Sequence, residues 1–230
     1  MTIKSKIDHL GRSLLNEEKF YQKHEDIRCD VKRGWIPHGL VHEDENRTKS
    51  AKGVIIVGLN PGQADAEERR FCRTHLNQYD EIIAYWKERF LFKHRYYKSL
   101  RSMVDSLGLR GPILWTEIVK CQGKKNGYLS IQTIRDDIHK HLYKEIEIAP
   151  KNWPIIAVGS RAYEILCYQY LDRKIMGVPH STGSFGQFSR FYSSTAGINP
   201  QIKKDLLRNI KSPEPTAMMV RCKKNKCWLE

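Results

Sequence analysis

A short run of β-branched residues lies between two glycines in the sequence GVIIVG, residues 53–58. Such a run is too short for a buried helix and is typical of a strand that is covered on both faces. Three further apolar runs of the same kind follow, at residues 112–120 (PILWTEIVK), 153–160 (WPIIAVGS) and 174–179 (KIMGVP). We therefore expect at least four strands of one sheet.

The segments between these runs have the periodicity of helices. Residues 64–107 are predicted to be mostly helical, and Gly108 follows as a C-terminal cap. Residues 130–147 form a second helix with Ser130 as N-cap. Strands that alternate with helices imply an α/β fold, here a three-layer α/β/α sandwich around a mainly parallel sheet. The apolar stripe of the second helix consists of Ile131, Ile134, Ile138 and Leu142.

The length of 230 residues predicts one domain. Within it, residues 1–52 form a helical and loop-like extension, and residues 53–195 form the core. Residues 196–230 contribute a helix and then a peripheral basic tail that contains two prolines.

The charge of the chain indicates the kind of partner. Forty Lys and Arg residues against 26 Asp and Glu residues give a net charge of +14, which favours nucleic acid over a merely solubilising surface. Basic and aromatic residues are also interleaved in residues 85–101, a mixture that fits contact with phosphates and bases, although for most of those aromatics a buried helix face is the better interpretation. We find no apolar segment of membrane-spanning length and no signal-peptide pattern, so we expect a cytoplasmic or nuclear protein that is not secreted and contacts no membrane.

The six cysteines are expected to be free thiols. Cys222 and Cys227 could form half of a zinc site, but no second half has suitable spacing. The sequence therefore predicts no bound metal and no cofactor.

In an open parallel sheet, ligands bind at the carboxyl ends of the strands. This rule brings Asn60, Glu117, Ser160 and His180 to one edge. In GLNPG, residues 58–62, the proline and glycines favour a rigid loop that presents Asn60, although the same residues can simply begin a helix. In HSTGS, residues 180–184, the histidine could stabilise a developing anion, or it could be incidental to a Ser/Gly loop. Glu117 is either a salt-bridged surface group or a reader of a base edge.

These stretches together resemble the uracil-DNA glycosylase superfamily, over residues 53–192. GLNPG resembles the first motif of its mismatch-specific and single-strand-selective branches, and HSTGS occupies the place of the family's His-Pro-Ser motif. ILWTEIVKCQ, IRDDIHKHLYKEI and PIIAVGSRAYEIL resemble the middle of the iron–sulfur branch. Only Cys121 matches a cluster ligand of that branch, so no cluster is expected.

The resemblance implies a role for each matching residue. It assigns Asn60 to the positioning of the attacking water, His180 to the oxygen of the departing base, Phe71 to stacking on that base and Glu117 to its pyrimidine edge. From the residues of these loops we further predict base contacts from Gly58, Leu59, Gly62 and Gln63, and contacts to DNA phosphates from Ser160, Ser181, Thr182 and Ser184. Two departures from the family pattern are Ser181 in place of proline and Glu117 in place of asparagine. An ionised Glu117 would accept from N3–H of uracil but repel its carbonyl oxygens.

The sequence thus predicts a monomeric, monofunctional DNA glycosylase that acts on a deaminated or damaged base in single- or double-stranded DNA, without a protein partner. The base must leave the helical stack before it is cleaved. Asn60 and His180 are then expected to share one pocket. Two alternatives remain: a non-catalytic nucleic-acid-binding protein on the same fold, and a hydrolase of nucleosides or nucleotides.

Overall fold

The computed structural model describes residues 2–124, 128–182, 186–223 and 226–230. Its central feature is a seven-stranded, mostly parallel sheet flanked by helices. This confirms the prediction of an α/β/α sandwich.

The strands and helices follow one another along the chain with few long loops. The strands are β1 (Ile27–Arg28), β2 (Val41–Glu43), β3 (Val54–Gly58), β4 (Ile113–Glu117), β5 (Gln122–Gly123), β6 (Ile155–Val158), β7 (Ile175–Val178), β8 (Tyr192–Ser193), β9 (Gly197–Ile198), β10 (Ala217–Lys223) and β11 (Lys226–Leu229). The helices are α1 (Ile3–Leu15), α2 (Glu18–Gln22), α3 (Ala66–Thr74), α4 (Tyr79–Trp86), α5 (Arg95–Ser106), α6 (Ile131–Asp137), α7 (Tyr143–Ile148), α8 (Ser160–Gln169), α9 (Gln187–Phe191) and α10 (Pro200–Lys211). A 3-10 turn spans Val31–Arg33, and π-helical turns span Lys87–Leu91 and Ile138–Leu142.

The strand order of the central sheet is β11-β10-β7-β6-β3-β4-β2. The pairs β3–β6, β6–β7 and β7–β10 are parallel, and every residue of β3, β6 and β7 is buried. Helices cover both faces of such strands, which explains why their sequences are continuous apolar runs without alternation.

The strand order reverses at β3. The chain passes from β3 to its neighbour β4, and then returns to β6 on the other side of β3. In open α/β sheets, ligands bind beyond the carboxyl end of the strands at such a reversal. The loop that contains Asn60 follows β3 and therefore has the position that this rule assigns to a ligand site.

The expectation of a peripheral basic tail is wrong. Residues 217–223 form β10, which pairs in parallel with β7, and β11 pairs antiparallel with β10 at the edge of the sheet. Cys222 and Cys227 lie opposite each other in this hairpin and form a disulfide, so they are neither free thiols nor half of a zinc site. The charged residues prevented recognition of these strands in the sequence. An edge strand exposes one side and tolerates lysine there.

The chain packs into two compact units. The first consists of the chain up to His42 with Gly58–Lys87 and Trp115–Ala149, and the second consists of Glu43–Val57, Glu88–Leu114 and Pro150–Glu230. The expected boundaries after residues 52 and 195 stay predictions. Among the described residues, no helix is both long and apolar enough to cross a membrane.

The apolar stripe predicted for residues 130–147 is correct except at its first position. Ser130 accepts a hydrogen bond from the Thr133 N–H as N-cap, and Ile134, Ile138 and Leu142 are buried. Ile131, however, is 83% exposed. Periodicity gives the direction of a side chain, but it does not say whether a neighbour covers the first turn.

This difference predicts unequal effects of two matched substitutions in α6. Ile134→Ala should lower the free energy of unfolding by about 2–4 kcal/mol, because it leaves a cavity. Ile131→Ala should change it by less than about 0.5 kcal/mol, because that side chain is already in water. Urea denaturation of both variants measures the difference, and equal losses would contradict the burial described for this helix.

Candidate functional site

The loop after β3 and the end of β4 lie side by side. Beyond the strands themselves, the Ile118 N–H donates to the Gly58 carbonyl and the Val119 N–H donates to the Leu59 carbonyl, each at 2.9 Å. We call residues 58–63 together with Glu117 the asparagine site. It lies entirely within the first unit, so the sequence correctly placed Asn60 and Glu117 at neighbouring strand ends.

The Asn60 side chain is half-buried, and its Nδ2 donates to the Pro61 carbonyl at 3.2 Å. This contact fixes the orientation of the carboxamide. No residue that the structure describes donates to its Oδ1. An oxygen held in this way can accept a hydrogen bond from a water molecule and orient it.

Glu117 lies directly against Gly58. A Cβ added at Gly58 would come 2.0 Å from Glu117 Oε2, so only glycine leaves room for this carboxyl. From the sequence we expected a ligand to approach the backbone at Gly58. In the structure, the Glu117 carboxyl occupies this space. Gly62, by contrast, has nothing within 4 Å of such a Cβ and does not have positive φ, so the turn does not require glycine there.

The carboxyl of the half-buried Glu117 is mostly uncharged at neutral pH. Burial raises its pKa to about 8, and the charge of Glu145 acts in the same direction, while Lys120 opposes both. Its Oε2 is buried without a hydrogen-bond partner. An unpartnered buried oxygen costs about 1–3 kcal/mol, which a hydrogen bond to it would recover. The alternative interpretation from the sequence, that Glu117 is a salt-bridged surface group, is therefore wrong.

A buried ammonium holds the end of β4 in place. Lys120 Nζ donates to Thr116 Oγ1 at 2.8 Å, to Glu145 Oε2 at 2.6 Å and to the backbone carbonyl of Glu117. These bonds use all three of its protons. Lys120 is 0% and Glu145 3% exposed, so the pair is withdrawn from water. This buried pair was not predicted from the sequence, because a lysine in a strand-end segment is usually on the surface.

The remaining predicted base contacts of the first unit differ in exposure. Leu59 is half-buried, while Gly62 and Gln63 are exposed.

A hydrogen bond to Gln122 holds the end of this loop. The buried side-chain oxygen of Gln122 accepts from the Ala64 N–H at 3.0 Å.

Phe71 is stacked between two other rings. Its centroid lies 4.1 Å from that of His75 and 4.0 Å from that of Tyr85, with interplanar angles of 14° and 9°. Two nearly parallel rings at these distances must lie on opposite faces of Phe71. Stacking of Phe71 on a base stays a prediction, and it requires one of these rings to move.

His180 lies in the second unit, just after β7, and is half-buried. Burial lowers its pKa, which favours the neutral imidazole. The Thr182 N–H donates to its Nδ1 at 3.4 Å, so the ring proton belongs on Nε2. That tautomer makes Nε2 the donor. Asn60 belongs to the first unit and His180 to the second. The pocket that these two residues are expected to share therefore stays a prediction.

The predicted phosphate contacts of the second unit are not equivalent. Thr182 is exposed, but Ser181 is only 8% exposed and its hydroxyl donates to the Tyr96 carbonyl at 3.4 Å. Ser184 lies outside the described residues. Ser160, the first residue of α8, accepts from the Arg221 guanidinium at 2.6 Å. Arg221 comes from β10, and the sequence did not predict it because that segment looked peripheral.

Among residues 2–124, 128–182, 186–223 and 226–230, no group of three or more His, Cys, Asp and Glu side chains is placed to hold a metal ion.

Comparison with known proteins returned no relative: no model of a protein family matches the chain, and no curated protein matches its sequence.

The contact between Gly58 and Glu117 predicts a change in the pKa of that carboxyl. Gly58→Ala should lower it toward the ordinary value near 4.5, because the added methyl group pushes the carboxyl toward water. Gly62→Ala is the matched control and should leave it unchanged. Titration of ¹³C-labelled glutamate carboxyls by NMR measures both, with Glu117→Gln identifying the signal. A Glu117 pKa that is the same in both variants would show that the contact does not control its protonation.

Proposed function

We propose that the protein is a monofunctional DNA glycosylase that hydrolyses the N-glycosidic bond of a deaminated or damaged base rotated out of DNA. The observation that carries the proposal is the neutral Glu117 carboxyl, which has an unpartnered buried oxygen and lies against Gly58, two residues before Asn60. The position after β3, where the strand order reverses, supports a ligand site there.

Protonation of Glu117 changes what it can recognise. A neutral carboxyl donates one hydrogen bond and accepts another, as a carboxamide does. Uracil presents N3–H beside carbonyl oxygens, so a neutral Glu117 can accept from the first and donate to the second. The objection that glutamate would repel the carbonyl oxygens therefore applies only to its ionised form.

The other two assigned roles follow from the chemistry of the reaction. Cleavage of the bond produces a cationic sugar and an anionic base. Asn60 has no useful pKa and acts by orienting water through its Oδ1. His180 acts as a neutral donor to the base oxygen, and one preorganised donor of this kind contributes about 2.7–4 kcal/mol.

The reaction is proposed to be monofunctional because no amine in the asparagine site is available as a nucleophile. A bifunctional glycosylase forms a Schiff base through an amine. The lysine next to the site, Lys120, is completely buried and uses its three protons in hydrogen bonds.

The charge of the whole chain supports a long polyanion as substrate. A net charge of +14 attracts DNA phosphates more strongly than it attracts a free nucleoside. This argument favours DNA over the nucleosides considered as alternative substrates.

A second candidate function is nucleic-acid binding without cleavage. The stacked neighbours of Phe71 favour it, because they leave neither face of that ring available to a flipped base. It predicts salt-sensitive binding of oligonucleotides without an abasic product.

The test is release of uracil and hypoxanthine from single- and double-stranded oligonucleotides. His180→Ala should slow excision by about 10²–10³-fold, because a donor to the anion is lost. Asn60→Ala should slow it by about 10²-fold, because the water is no longer placed.

The exposed residues His139 and Asn152 provide matched controls. His139→Ala and Asn152→Ala should retain the wild-type rate. If no base is released from any substrate but the oligonucleotides bind, the second candidate function replaces the first. If excision is unchanged by both site substitutions, the assigned residues are wrong.

The protonation of Glu117 predicts a pH dependence of uracil excision. Its carboxyl donates while it is protonated, so the rate should fall as the pH rises through about 8. Glu117→Gln supplies the same donor and acceptor without titrating, and this fall should disappear. Single-turnover rates between pH 6 and 9.5 measure the difference. Identical pH profiles would rule out Glu117 as the titrating group.

A further inference from the structure

Two free cysteines meet beside a cavity of the first unit. Strands β1 and β5 are antiparallel, with Ile27 opposite Gly123 and Arg28 opposite Gln122. The next pair in this register is Cys29 and Cys121, and the Cys121 thiol is hydrogen-bonded to Cys29. Both are reduced in the structure. The chain already forms one disulfide between directly opposite residues, in the hairpin of β10 and β11.

The two thiols differ in accessibility. Cys29 is half-buried and lines a cavity of about 530 Å³, whereas Cys121 is 0% exposed. A reagent in the cavity therefore reaches Cys29 first. Cys121 can react only with a group already attached to Cys29.

The cavity has a cationic character. Its lining includes Arg28, Lys32 and Lys124. Its two carboxylates are engaged by the backbone of the wall: Glu18 accepts from the Val31 N–H at 2.9 Å, and Asp30 accepts from the Arg33 N–H at 3.1 Å. Three cationic side chains against these two carboxylates leave the lining with a net charge of +1, so anions are attracted to this cavity more than cations are.

We propose that Cys29 and Cys121 form a reversible dithiol–disulfide pair that exchanges with an anionic low-molecular-weight disulfide admitted through this cavity. The Cys29 thiolate attacks one sulfur of the disulfide RSSR, which forms a mixed disulfide and releases RS⁻. The Cys121 thiol, whose pKa is raised by burial, then loses its proton and attacks the Cys29 sulfur, and the second RS⁻ leaves. Two protein thiols and one RSSR thus give one protein disulfide and two RSH, which carry both protons. The proposal is independent of the proposed glycosylase activity.

The experiment treats the full-length protein with oxidised glutathione, which is anionic, and with cystamine, which is cationic. Peptide mapping by mass spectrometry should find a Cys29–Cys121 cross-link. In Cys121→Ser, one glutathione should remain attached to Cys29, and in Cys29→Ser, Cys121 should not react. At low ionic strength, glutathione should modify Cys29 on the order of tenfold faster than cystamine does.

Cys167 is the internal control, since it is a half-buried free thiol of the second unit. Modification of Cys29 no faster than that of Cys167 would overturn the proposal, as would stable glutathione on Cys29 of the wild-type chain without a cross-link. Equal rates with the two reagents would overturn the role of the cavity charges. Mapping of the wild-type cross-link requires no substitution, so the result does not depend on whether the serine variants fold.

Discussion

The hydrogen bonds of Lys120 fix the part of the molecule on which the proposed chemistry depends. Its ammonium joins Thr116, Glu145 and the backbone of Glu117, and all three side chains of this group are buried. A buried pair of charges contributes little net stability, but removal of one partner is costly. The pair therefore keeps the end of β4 in one conformation, and the Glu117 carboxyl is thereby held against Gly58.

Position and protonation of Glu117 have the same physical origin. The packing that places its carboxyl beside the Gly58 backbone also removes it from water, and loss of hydration disfavours the ionised form more than Lys120 can compensate. The result is a side chain with the hydrogen-bonding pattern of an amide. In the proposed glycosylase, a neutral glutamate would therefore make the base contacts that an asparagine can make.

The C-terminal strands extend the sheet and bring a further cation to a strand end. Strand β10 pairs with β7, and Arg221 from this strand contacts Ser160 at the start of α8. The same guanidinium also forms an ion pair with Glu230, with 2.7 Å between Nε and Oε2. The disulfide between Cys222 and Cys227 connects the two strands of the same hairpin, whereas Cys29 and Cys121 remain thiols.

The sequence by itself determined the alternation of strands and helices, the places where β3, β6 and β7 end, and the presentation of Asn60 after a buried strand. These features follow from local apolar runs, glycine, proline and capping residues. Only the tertiary structure decided that Ile131 is exposed, that residues 217–229 complete the sheet and that Glu117 is neutral. Each of these depends on which distant residues exclude water from a side chain or pair with a strand, and a local pattern does not contain that information.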